Sequence, residues 1–326
     1  MLPRLLPRMP RRQALTLATA LLAGTFAFGP AMAQDKKVLA FVTNAAADFW
    51  TIGRAGVEKA GTELEGYTTE MHIVSEATAA EQRRIIDDLL TRGVAGITVS
   101  VIDPANSRDL LNRAAAQAVL FTSDSDAPDT NRMLYVGTDN VAAGEQAGEL
   151  IKQALPDGGK IMLFVGTMGA ANAQERVEGI KKVLDGGNIE IVDIRTDEVD
   201  FARAKRNVED TLTTYPDIDG LVGLWSYNTP QIVEAVRAAG KEGQVKVIGF
   251  DEDPVTLRGI GDGIVEATVV QQPFEFGYQS MMLMAKVIEG DTSFIPENKL
   301  LIIPTRVIDK SNVDEFRQEM QKLLGK

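Results

Sequence analysis

The chain has 326 residues, enough for two domains of ordinary size, with 44% hydrophobic and 25% charged residues. Its net charge is −12 and no basic block follows the first 33 residues, which argues against nucleic acid and anionic membrane surfaces as partners. The absence of cysteine excludes disulfides, thiolate metal sites, cysteine nucleophiles and a lipid-bearing N-terminal cysteine.

Residues 1–33 carry Arg4, Arg8, Arg11 and Arg12 and no acid, then the apolar run Ala14–Phe28, then Ala31-Met32-Ala33. A basic start, a short apolar core and an A-x-A end predict a secretory signal peptide cleaved after Ala33. The run is short for a membrane span. Cleavage leaves Gln34–Lys326 and, with four arginines removed, takes the net charge from −12 to −16. Arg11-Arg12 leaves the Sec and twin-arginine routes both open. Without a lipid-bearing cysteine, the exported chain is expected free in the periplasm or secreted.

Strands and helices then alternate. Strands are expected at Val38–Thr43, Tyr67–Val74 and Gly96–Ser100, with helices at Trp50–Glu63, Thr78–Thr91 and Pro104 to about Gln117. Thr78 and Glu81 have capping-box spacing, and Pro104 suits a first helical turn. Val119–Phe121 and Met133–Val136 read as short buried strands flanking Asp124-Ser125-Asp126. Thr138-Asp139-Asn140 then opens a helix, so this stretch holds both a candidate site and a candidate hinge. The second half repeats the pattern: helices at Asn140–Leu155, Ala173–Leu184, Phe201–Thr214, Thr229–Ala239, Pro254–Gly261, Phe274–Glu289 and Asn312–Leu324. Its strands are Lys160–Val165, Ile189–Arg195, Gly220–Leu224, Val245–Phe250, Glu266–Val270 and Leu300–Ile303. Repeated βα units predict an α/β fold with mainly parallel sheets covered on both faces. No low-complexity linker separates the halves.

Motifs for catalysis are missing. His72 is the one histidine and lies in a strand, without a G-x-S-x-G elbow to serve. No phosphate loop or G-x-G-x-x-G is present, and Gly259-Ile260-Gly261-Asp262-Gly263 reads as a helix stop. Asp217-Ile218-Asp219-Gly220 reads as a turn, since the other ligands of a calcium loop are absent. No cofactor and no metal are implied.

The strand ends hold a different chemistry. Thr43, Asn44, Asp48, Phe49 and Trp50 follow the first strand, and Asp124 ends the fourth. Asn172, Gln174, Arg176, Asp200-Phe201, Trp225-Ser226-Tyr227-Asn228, Asp251 and Gln271 follow later strands. Flat aromatics mixed with carboxylates and amides suit a sugar, whose C–H faces lie on rings and whose hydroxyls both donate and accept. Taken singly, Trp50 or Trp225 could be core, and Asp48, Asp124 or Asp251 could cap turns or helices.

Eight segments in order carry a resemblance: VTNAAADFW (42–50), DSDAPDT (124–130), YVGTDN (135–140), NAQERVEGI (172–180), VDFARAK (199–205), LWSYN (224–228), VIGFDEDP (247–254) and VVQQPFEFG (269–277). The mature chain resembles periplasmic sugar-binding proteins of the ribose-binding type, which feed ABC importers. The resemblance implies two similar doubly wound lobes joined by three crossings near Thr138/Asp139, Gln271/Gln272 and Ile303/Pro304. One lobe would hold 36–138 plus 272–303, the other 139–271 plus 304–326. Closure over a sugar, docking on a membrane permease and a monomeric state are implied with it. Carried over by position, Phe49 and Trp50 match the stacking pair, Asp124, Asp251 and Gln271 match hydroxyl-binding residues, and Phe201 matches a ring from the second lobe. Trp225 falls where a ribose binder has asparagine. Ala47 replaces an asparagine, and Ser125 and Gln174 stand where ribose binders have arginines, with Arg176 two residues on. A different pentose, a polyol or another small polyhydroxylated solute therefore fits at least as well as ribose.

Three further readings stay open. A chemoreceptor could be a second partner of the closed form. A sugar-responsive transcription regulator shares the two-lobe fold, but needs a helix-turn-helix where this chain has its basic, apolar start. An exported hydrolase could use Asp124 and Asp251 as paired carboxylates, although nothing in the sequence sets their spacing.

Overall fold

The computed structural model describes residues 36–324. The expected signal peptide lies outside the described residues. The first half runs β1 (Lys37–Val42), α1 (Phe49–Glu63), β2 (Tyr67–His72), α2 (Ala79–Thr91), β3 (Gly96–Val99), α3 (Pro104–Ala115), β4 (Val119–Ser123) and β5 (Leu134–Gly137). It continues with α4 (Asn140–Ala154), β6 (Gly159–Val165), α5 (Ala171–Leu184), β7 (Ile189–Thr196), α6 (Phe201–Thr214), β8 (Gly220–Gly223), α7 (Asn228–Ala238) and β9 (Lys246–Phe250). The last elements are α8 (Pro254–Asp262), β10 (Ala267–Val270), α9 (Pro273–Ile288), β11 (Leu300–Ile302), β12 (Arg306–Asp309) and α10 (Val313–Leu323).

These strands form two six-stranded sheets, ordered β11-β5-β4-β3-β1-β2 and β12-β10-β9-β8-β6-β7. All pairings are parallel except β10 with β12. Each sheet with its helices is one lobe. Strands β3, β4, β5 and β8 are buried almost throughout, as expected of a sheet covered on both faces. In the first lobe α1 and α9 cover one face, and α2 and α3 the other. In the second, α4 and α5 cover one face, and α6, α7, α8 and α10 the other.

The chain passes between sheets three times, at residues 138–139, 271–272 and 303–305. The strand β12 is absent from the sequence reading. Its four residues, Arg306-Val307-Ile308-Asp309, bury only Ile308 fully, so the stretch lacks the apolar run that marked the other strands. It exists because β10 offers an edge for antiparallel pairing. The expected capping box at α2 is half formed. Thr78 Oγ1 accepts from the Glu81 amide at 3.2 Å, but the Glu81 carboxylate reaches back to the amides of Ser75 and Glu76. Gly263 closes α8 at φ 80°, the left-handed position that glycine adopts without a Cβ clash. No helix among the described residues is long and apolar enough to cross a membrane.

The helices α4 and α5 approach closely because α4 has no side chain at Gly144. A Cβ there would fall 2.2 Å from the carbonyl oxygen of Arg176. Gly144→Ala is expected to lose about 1–3 kcal/mol through overpacking, read as a lower urea midpoint at unchanged m-value.

Candidate functional site

The C-terminal edges of the two sheets meet around a small cavity of about 30 Å³. Asn44, Phe49, Trp50 and Asp124 line it from the first lobe, and Asn172, Arg176, Trp225 and Asp251 from the second, with Gln271 from a crossing. Two of these residues occupy matching places. Asp124 follows β4 and Asp251 follows β9, each the third strand from its sheet's β11 or β12 edge. Both adopt left-handed backbone, at φ 61° and 65°. That conformation is costly for most side chains and most accessible to Asp and Asn. It turns the chain sharply at the strand end.

The Asp124 carboxylate is the polar centre of the first lobe. Ser100 Oγ donates to its Oδ2 at 2.7 Å, Asn44 Nδ2 at 3.1 Å and Asn172 Nδ2 at 3.2 Å. All three donors use one oxygen, so Oδ1 has no protein donor among the described residues. The Asn172 bond joins the second lobe to the first. Asn44 in turn accepts from Trp50 Nε1 at 3.0 Å, which fixes that indole. The Asp124 carbonyl accepts from Tyr135 Oη and Asn140 Nδ2, both at 3.1 Å.

Arg176 is 1% exposed and is tethered from two sides. Its Nε donates to Asn140 Oδ1 at 3.0 Å and its Nη1 to the Leu224 carbonyl at 2.6 Å. Its guanidinium lies 4.5 Å from the centre of the Phe250 ring, a cation–π contact. Nη2 is buried without a partner among the described residues. Gln271 Nε2 donates to Asp251 Oδ1 at 3.0 Å, and no side chain donates to Oδ2. These carboxylates fix the amide orientations, because only an amide nitrogen can donate to them. The oxygens of Asn172 and Gln271 therefore face away from their carboxylate partners and are left unpaired. Trp225 Nε1 is buried and unpaired as well.

Burial pushes the Asp124 carboxyl upward, against the opposing pull of Arg176 and its three donors. Burial raises Asp251 to about 6, again against Arg176 and Gln271, with the Asp124 charge adding to the rise. The next residue, Glu252, is buried with neither carboxylate oxygen bonded. Desolvation first, and the Asp251 charge second, push it well above the usual carboxylate range.

Six expected site residues lie outside the cavity lining. Thr43 is fully buried, its Oγ1 held by the Ala45 carbonyl and the Val74 amide. Ser125 is buried beneath the Asp124 turn, its amide bonded to the Ser123 carbonyl. Gln174 is exposed and donates to the Met168 carbonyl, because its place on α5 faces outward while Arg176 faces in. Asn228 is an anchor: its Oδ1 accepts from the Trp225 amide and its Nδ2 donates to Asp197. Asp48 and Phe201 line an outer groove of about 560 Å³ that shares Phe49, Ser226, Tyr227 and Asp251 with the cavity. Phe201 is 42% exposed and stacks on Tyr227 at 4.6 Å.

Ser226, Tyr227, Ala45 and Ala47 complete the cavity wall. The first two sit in the LWSYN segment, whose aromatics were the available signal. Asp197 carried no signal, because its role is set by contacts distant in sequence. It accepts from Tyr227 Oη at 2.5 Å, Asn228 Nδ2 at 2.9 Å and the Val199 amide at 2.9 Å. It thereby ties the strained turn at Glu198 and Val199, φ 54° and 61°, to the loop that carries Trp225.

Comparison with known proteins finds relatives over most of the chain. A family described as "Periplasmic binding protein domain" matches residues 39–292. The ribose import binding protein of Haemophilus influenzae is 27% identical over 279 residues, 84% of this chain and 93% of that protein. A solute-binding protein of an ABC transporter from Burkholderia graminis, solved with D-arabinose, is 28% identical with a TM-score of 0.80. The match covers 86% of this chain and 97% of that one. A glucose-galactose binding protein from Geobacillus stearothermophilus is 28% identical with a TM-score of 0.79, over 85% and 98% of the two chains.

Two outcomes are expected. Asp251 titrates at about 6 in the folded protein against an ordinary 3.8, so unfolding releases a proton within that window. Its contribution to stability is greatest below about pH 4 and falls as pH rises to about 6. Asp251→Asn should therefore be more stable than the parent at pH 7, by roughly 1–3 kcal/mol, with the gain shrinking toward pH 4. Denaturant titrations at the two pH values measure it. At Gly166 a Cβ would fall 2.1 Å from Trp225 Cζ3. Gly166→Ala should displace that indole and shift the emission of Trp225, read in a Trp50→Phe background that leaves it as the one remaining tryptophan.

Proposed function

The chain belongs to the periplasmic binding protein family, and from that premise we propose that it captures a monosaccharide (pentose-like) or a polyol between its lobes for an ABC importer. One observation carries the reading. Four polar atoms around the cavity, Asn172 Oδ1, Arg176 Nη2, Trp225 Nε1 and Gln271 Oε1, are buried without partners among the described residues. Each costs about 1–3 kcal/mol while unpaired. A polyhydroxylated solute supplies both donors and acceptors and would pair them, with Phe49, Trp50 and Trp225 providing ring surface for its C–H faces. Similarity to a ribose import binding protein and to sugar-binding solute receptors supports the same ligand class.

The cavity, about 30 Å³ and walled by both lobes, is smaller than a sugar ring, so the lobes must shift both to admit one and to hold it. Entry requires them to part about the crossings at 138–139, 271–272 and 303–305. The moving bodies are 36–138 plus 272–303, and 139–271 plus 304–326. Closure then withdraws the ligand from water, and the closed surface is what a permease in the inner membrane would accept. The protein acts by binding, without turnover. Export with cleavage after Ala33 delivers it to the periplasm.

The test is a thermal-shift screen of the exported protein, freed of carried-over ligand by unfolding and refolding, against pentoses, hexoses, polyols and small acids. A rise in melting temperature with a sugar or polyol is expected by mass action. A response confined to non-carbohydrate solutes would defeat the proposal. With the hit in hand, Asp124→Ala should weaken binding by about 1–3 kcal/mol in calorimetry. Unchanged affinity would remove Asp124 from the site.

A further inference from the structure

The cavity's polar groups are unbalanced in charge and in hydrogen-bonding sense. Two acids line it, Asp124 and Asp251, against one base, Arg176. That base already donates to Asn140 and to the Leu224 carbonyl and lies on the Phe250 ring. With both acids ionised, the enclosed site holds one net negative charge. The unpaired atoms lean the same way. Asn172 Oδ1 and Gln271 Oε1 are buried acceptors without partners, and their orientations are fixed by the carboxylates their amide nitrogens serve. Asp124 Oδ1 and Asp251 Oδ2 receive no side-chain donor either. Against these four acceptor oxygens stand two donor groups, Arg176 Nη2 and Trp225 Nε1.

A neutral sugar hydroxyl brings one proton to donate and no charge, so it leaves the negative charge enclosed when the lobes shut. A protonated amine brings up to three donors and the missing positive charge. The amine's charge would make the enclosed set neutral, with two carboxylates facing one guanidinium and one ammonium. The two carboxylates come from opposite lobes, so an ammonium between them would also be held by both bodies at once. Burial raises the Asp251 carboxyl more than Arg176 and Gln271 lower it. The groove beside the cavity carries Asp48 and Asp253 against Arg258 and Arg317, so the bias toward a cation lies in the cavity itself.

We infer that the ligand is a polyhydroxylated solute bearing a protonated amine, an amino sugar or aminopolyol seated between Asp124 and Asp251. This rests on the sugar or polyol reading above and narrows it.

The experiment is isothermal titration of ligand-freed, refolded protein at neutral pH with matched pairs. The pairs are glucose with glucosamine, galactose with galactosamine, arabinose with aminoarabinose and ribitol with aminoribitol. In at least one pair the amine is expected to bind about 10- to 100-fold tighter than its neutral parent, the range of a charge-assisted contact. Asp251→Asn should cut that ratio toward one, while the parent protein's own ratio stands whatever the variant does. Neutral members binding as tightly as their amines, or tighter, would overturn the inference and leave the sugar reading intact. No binding in either series would overturn both.

Discussion

A carboxylate taken out of water has to be held by donors, and Asp124 shows how much structure that requirement organises. Its three donors come from the loop after β1, the end of β3 and the start of α5. One of them, Asn44, passes the constraint on to Trp50. The Asp124 carbonyl passes it through Asn140 to Arg176, and Arg176 fixes the Leu224 carbonyl one residue before Trp225. The aromatic walls of the cavity are thus positioned by the polar groups that keep one buried acid satisfied. Crowding all its donors onto Oδ2 leaves the other oxygen directed to what enters.

The second lobe repeats the device with different chemistry. Asp251 has the same backbone conformation at the equivalent strand end, but a single residue, Gln271, serves it. It receives fewer side-chain donors than Asp124, and burial raises both carboxyls. Two similar lobes have placed acids in matching positions and then supported them unequally. The lobe with fewer internal donors depends more on what a ligand brings.

The fold was legible because β4, β5, β8, β9 and β10 are short apolar runs ended by polar turn residues. The lining of the candidate site was legible in outline because in such folds the strand ends face the cleft. Asn44, Trp50, Asp124, Asn172, Arg176, Trp225, Asp251 and Gln271 all follow from that rule. Position at a strand end does not say which way a side chain points, and Gln174, Thr43 and Asn228 show the difference. On α5, two residues separate outward Gln174 from inward Arg176, about half a turn of helix. Thr43 and Asn228 spend their polar atoms on backbone and on Asp197. Asp197 and β12 were illegible for a related reason: each is defined by a partner far along the chain, an edge of β10 in one case and the Tyr227 loop in the other.

The bond from Asn172 to Asp124 is made by two side chains, one from each lobe. Such a bond exists only while the lobes lie together, so its strength enters the balance between joined and parted lobes whatever the solute. Apparent affinity then equals the intrinsic affinity scaled by the fraction of molecules already competent. A side chain at position 172 can therefore tune how tightly a solute is held through that fraction alone, even for a solute it never touches. The same bond sets a limit on release, since a receptor that must surrender its cargo has to reopen against it.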